Sequence, residues 1–161
     1  MNLVENNKPA TSLINKQEKS LDMAQVSKIF LTLRAVFGKK FLASFQSSEQ
    51  MQAAQAIWSE ALWFLNEDQV NEGLSRCIHL EDWDPNIPQF IRLATGLPDK
   101  NEAVARVLSG NTPDEVSYRI RKGIGSWDIG HQTQATIKTR VMGMYDDIYM
   151  EVIEEIGEDH E

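Results

Sequence analysis

The side chains best able to do chemistry in this sequence do not gather. His79, His131 and His160 lie far apart, and none stands at i, i+4 from another histidine or from Cys77, the only cysteine. A zinc site needs three or four converging soft or imidazole ligands, which this chain barely contains. A carboxylate-bridged pair of metals in a helical bundle needs Glu three residues ahead of His, and no glutamate here has that neighbour. The stretch "GIGSWDIG" holds a G-x-G fragment, but no strand-like run precedes it and no Lys-Ser/Thr pair follows, so a phosphate-cradling loop is excluded. No G-x-S-x-G elbow or Cys–His nucleophile pairing stands out. Asp146 and Asp147 are adjacent on a helix and read as solvating charge rather than a general acid/base pair. The expectation is a protein that is not an enzyme, with no catalytic, metal or cofactor residues and no small-molecule substrate.

Aromatic and basic residues say more. Trp58 and Trp63 are five apart on one helix and point in different directions. Trp83 and Trp127 sit in links between helices, each followed by Asp. A tryptophan in a link either covers the core or stands out as a binding anchor, since Trp and Tyr are enriched in interface hot spots. Trp83 is expected to cover the joint between two helix pairs. The candidate partner-binding residues are Trp83, Trp127 with its neighbour Ile129, and Tyr145 with Tyr149, one turn apart, with core packing the default for Tyr145 and Tyr149 expected to be partly exposed. Arg119, Arg121 and Lys122 cluster ahead of the glycine-rich link. They either complement a helix C-terminus or, with Trp127, hold a single strand of DNA weakly by phosphate contact and base stacking.

These residues ride on helices. Val26, Ile29, Phe30, Leu33, Val36 and Phe37 follow 3-4 spacing and define an amphipathic helix stopped by Gly38. Ser47 with Gln50, and Asn66 with Gln69, resemble capping boxes opening two further helices, and Thr112-Pro113-Asp114-Glu115 opens another, with Thr112 as the cap. "HLEDWDPNIPQFIRLATG" is an elbow, followed by a helix that Asn86 caps, Pro88 enters and Gly96 closes. "KGIGSWDIG" reads as an irregular link, and Ile137 through Ile156 mark one long helix. No segment alternates as a strand does. The expected fold is all-α, a compact helical domain of about six or seven helices over 22–156, with a flexible N-terminal arm over 1–21 and an acidic tail over 157–161. Leu13 and Ile14 in the arm are candidates to dock on a partner.

Charge is unevenly spread. Net charge is −8, yet residues 1–50 carry seven Lys or Arg against four acids, and from Asp146 onward there are eight acids and no Lys or Arg. Such a chain is repelled by bulk duplex DNA, whose affinity for proteins comes from cations that release counterions. No apolar run approaches the roughly 18 residues that span a bilayer, no secretory signal opens the chain, and one cysteine suits a reducing cytosol. The expected location is cytoplasmic.

The order of features over residues 25–150 resembles the phage replication protein P family. The resemblance rests on "IWSEALWFLNEDQVNEGLSRCIHLEDWDPNIPQFIRLATG", with Trp58, Val70, Gly73, Leu74, Pro85, Pro88 and Phe90 as the matching residues. "IFLTLRAVFGKKFLASF" is similar to the family's first helix, and "GIGSWDIGHQTQATIKTRVMGMYDDIY" to a later one. Pro88 stands one residue closer to its Phe than the family pattern. The resemblance implies a helicase loader that hydrolyses no ATP. Such a protein binds the hexameric replicative helicase, holds it open and inactive, and delivers it to an origin through an initiator protein. It assigns no helicase-contacting residue. The alternative is an acidic helical adaptor or chaperone-like interaction module outside replication.

Overall fold

The computed structural model describes residues 19–160. Most of the expected arm, with Leu13 and Ile14, therefore lies outside the described residues. Its last residue does not behave as an arm. The Leu21 side chain is buried, its N–H donates to the Ser59 carbonyl at 2.8 Å, and the Ser59 hydroxyl donates back to the Leu21 carbonyl at 2.6 Å. Ser59 is itself buried, so the reciprocal pair satisfies polar groups that could not be left alone.

The chain is all helical, with no strand among the described residues. The elements are α1 (Met23–Phe37), α2 (Lys39–Ala43), α3 (Ser48–Ala61), α4 (Glu67–Leu80), α5 (Ile87–Thr95), α6 (Lys100–Ser109), α7 (Glu115–Ile124), α8 (Ser126–His131) and α9 (Gln134–Glu158). Two of these, α2 and α8, are only five and six residues long. Side-chain caps account for most starts. Asn66 and Gln69 form a complete capping box on α4, and Asn86 and Gln89 another on α5. Ser47 accepts from the Gln50 N–H, but Gln50 reaches the N–H of Gln46 instead, so the box on α3 is half made.

Three expectations change. The cap of α7 is Asp114, not Thr112: its carboxylate accepts from the Ser117 N–H at 2.7 Å and also pairs with Arg106 at 2.5 Å. A carboxylate with two charged or polar donors is a stronger cap than a hydroxyl. Second, "KGIGSWDIG" is helix on both sides of one residue. Only Gly125 takes a left-handed φ, +89°, and the turn from α7 to α8 occupies that single position. Third, α6 has no counterpart among the expected helices, although Asp99 caps it and Ala103, Val104 and Val107 bury one face. At the far end, α9 continues into the expected tail, with Gly157 buried and Glu158 still helical.

Packing divides into two neighbourhoods. Helix α1 lies on α2, α3 and α4, with α5 against α4, while α6 and α7 lie on α9. One continuous apolar cluster runs through both. Its aromatic part is a chain of rings: Phe41 on Phe30 at 5.5 Å, Phe30 on Trp58 at 5.6 Å, and Trp58 on Phe90 at 5.6 Å. Trp58, Gly73 and Phe90, which carry part of the family resemblance, thus meet in the core. A Cβ on Gly73 would lie 3.0 Å from Phe90 Cζ and 3.3 Å from the Ala94 backbone, so a side chain there would push α4 and α5 apart by a few tenths of an ångström.

Gly73→Ala is expected to destabilise the protein. Overpacking costs about 1–3 kcal/mol, and the better helix propensity of Ala returns no more than about 1 kcal/mol. Thermal unfolding should show Tm lowered by roughly 2–4 °C for a domain of this size.

Candidate functional site

The elbow between α4 and α5 holds the first candidate. Glu81 closes α4 in an extended conformation, Pro85 is buried, and the Asn86 capping box fixes the start of α5. Between these anchors Trp83 is 65% exposed. It is not the core lid expected from its place in a link. Its ring instead lies under the ammonium of Lys40, 4.1 Å from the centroid, a cation–π contact between α2 and the elbow. Below, on α4, Cys77 is buried, and its thiol pKa is pushed up to about 11 by that burial, with the Glu81 and Asp84 carboxylates adding to the effect.

Trp127 is the other open indole, at 70% exposure. Its ring stacks on His131 at 4.3 Å and 15°, and His131 Nδ1 sits 2.7 Å from the Trp127 carbonyl. A carbonyl only accepts, so that nitrogen carries the proton. Arg140 ties α8 to α9 through Asp128 at 2.6 Å and Gln132 at 3.2 Å. Ile129 is half-buried against the core.

The tyrosine pair is mostly structural. Tyr145 is buried and its hydroxyl donates to the Pro98 carbonyl at 2.6 Å, anchoring α9 to the turn before α6. Burial, with the neighbouring Tyr149, pushes its pKa well above the usual phenol range. Tyr149 stacks on it at 5.3 Å and is half-buried. Tyr145 therefore offers no surface to a partner.

The basic trio does not act together. Arg119 forms a two-pronged contact with Glu155, 2.7 and 2.5 Å, and a third bond to Glu115. Its hydrogen bonds hold the Glu155 carboxyl below the usual carboxylate range. Arg121 donates to the Val107 carbonyl. Only Lys122 keeps its ammonium outward, 6.0 Å from the exposed Tyr118 ring. Phosphate contact by all three would require breaking the α7–α9 clamp.

A cleft of about 500 Å³ opens beside that clamp and is lined by Arg106, Asp114, Arg119 and Glu155 among others. These four are bound in pairs, Arg106 to Asp114 and Arg119 to Glu155. Among the described residues no three His, Cys, Asp or Glu side chains converge to hold a metal. No described helix is long and apolar enough to cross a membrane.

One exposed feature lies outside all these expectations. Leu31 on α1 is 65% exposed, and Val36, expected on the buried face, is exposed as well. Leu31 fell outside the 3-4 pattern, which was the available sign that it faces away from the core. Val36 lies on the last turn of α1, where the chain reverses at Gly38 and α2 covers Phe30 through Phe41 instead.

No family model, curated protein or solved structure matches this chain.

Two measurements check the site geometry. Trp83→Ala removes only an exposed cation–π contact, worth about 0.5–1 kcal/mol, so Tm should fall by no more than about 3 °C. Cys77 should react with a thiol reagent at pH 8.5 roughly 100-fold more slowly in the native than in the denatured protein. The unfolded thiol ionises near its ordinary value of about 8.5 while the folded one holds its proton to about 11. The unfolded state thus sheds protons first, and Cys77 lowers stability as pH rises between those values.

Proposed function

We propose that this chain is a non-enzymatic DNA-replication adaptor that binds the replicative helicase and loads or inhibits it. The observation that carries the reading is the open indole of Trp83, held on an elbow with both ends fixed, inside the segment that resembles the phage replication protein P family. A rigid, exposed tryptophan loses little freedom on binding and buries a large apolar area, which is the profile of an interface hot spot. The charged cleft supports the same reading, because its central arginines are committed to holding α7 on α6 and α9.

An adaptor of this kind works by differential affinity. It shifts a helicase between closed and open rings only by as much as it binds one state better. The alternative, an acidic interaction module outside replication, is favoured by the carboxylate-rich second half of α9 and predicts a different stable partner.

The test is to mix the protein with the hexameric replicative helicase of its host and follow co-elution and unwinding. Co-elution with suppressed unwinding is expected, and Trp83→Ala should weaken the complex by roughly tenfold or more. No complex at micromolar concentrations overturns the helicase assignment, and stable capture of another defined partner supports the alternative.

A further inference from the structure

Two faces of this molecule are unsatisfied in opposite ways. Between Met23 and Gln46 there are four cations, Lys28, Arg34, Lys39 and Lys40, and no carboxylate. Among the described residues none of the four forms an ion pair: Lys28 bonds the Asn71 amide, Lys40 lies over Trp83, and Arg34 and Lys39 have no carboxylate partner. In contrast, Arg76, Arg92, Lys100, Arg106 and Arg119, which are all the Lys and Arg from 76 to 119, pair with acids. One of these cations, Arg34, lines an apolar groove of about 240 Å³ between α1, α2 and α3, together with Phe30, Leu31, Phe41 and Met51, and Lys39 stands exposed at the start of α2. Lys28, Leu31 and Arg34 are three apart, so the exposed leucine is flanked by positive charge on one ridge of α1.

The other face is the second half of α9. Asp147, Glu151, Glu154 and Glu158 recur at i, i+4, i+7 and i+11, one stripe of a helix about 16 Å long. All four are exposed, and none pairs with a described cation. Like charges a turn apart, at the negative end of a helix, oppose the helix that carries them. On the same stripe Met150 is 52% exposed. Leucine between cations and methionine between carboxylates are complementary in both charge and polarity. The two faces lie on helices that pack in different neighbourhoods, α1 with α2–α4 and α9 with α6 and α7.

We propose that the α1–α2 groove binds the acidic stripe of α9 from a second copy of this chain, with Met150 entering beside Leu31. The contact is heterologous, head to tail, so each added copy leaves one face of each kind open and assembly grows with concentration. It does not depend on a helicase partner. The opposed charges set its orientation and make it sensitive to ionic strength.

Sedimentation of the full chain tests this. At low salt the weight-average mass should rise with concentration from micromolar upward, and return to the monomer in about 1 M salt, where the Debye length is about 3 Å. Arg34→Glu with Lys39→Glu should weaken association roughly tenfold or more, and so should Glu151→Lys with Glu154→Lys. These positions are exposed, and circular dichroism verifies that each variant keeps its helices. Mixing the two variants should restore a complex, because each retains the face that the other lost. A monomer at every concentration overturns the proposal. So does association that persists through both charge reversals, or a mixture of the two variants that remains monomeric.

Discussion

Gly73 and the ring of Phe90 meet so closely that a methyl group there would have to push its neighbours back, and much of the molecule is arranged around that approach. It sets α5 hard against α4, and so defines the short distance that residues 81–86 must cover. A link that short cannot fold its own side chains inward: Pro85 takes the buried position and Trp83 is left outside. The same contact brings Phe90 under Trp58, from which the ring chain reaches Phe30 and Phe41 and holds the first three helices. The exposed indole and the packed core are thus two results of one helix spacing.

Charge divides the molecule along a different line from the hydrophobic core. From Arg76 to Arg119 every cation is bound to an acid from a neighbouring turn or helix. Arg106 joins α6 to the cap of α7, and Arg119 joins α7 to α9. These arginines act as cross-braces between short helices that could not persist alone, since an isolated helix of about ten residues is marginal in water. Helix α9 is long enough to run past the braces: Val152 and Ile153 pack inward just before Glu155, and beyond it Gly157 lies buried against Trp63 and Phe64.

Much of the fold was legible because helices write their periodicity and caps into the sequence. The Asn-x-x-Gln boxes of α4 and α5, and the glycine stops at 38 and 96, announced themselves through local hydrogen bonding alone. What depended on distant partners was not. Asp114 displaced Thr112 as a cap because Arg106, on another helix, reinforces it. Gly123 and Gly130 looked like a link but lie in helices, since glycine permits a turn without compelling one. At the candidate site, Trp83 opened to solvent instead of covering the joint, while Tyr145, a candidate partner contact whose default was core packing, closed on Pro98. Exposure is decided by which element arrives opposite, and one strand of sequence does not contain that. The arginines were misleading for the same reason, because Glu155 lies 36 residues from Arg119.

The four tryptophans fall into two environments: Trp58 and Trp63 are packed against the core, while Trp83 and Trp127 are largely exposed to water. Indole emission reports local polarity, so the red edge of this protein's emission comes mainly from the two open rings. Any surface that covers one of them writes its arrival into the intrinsic fluorescence. The molecule therefore carries its own optical label, at the positions where contact with another macromolecule is most informative.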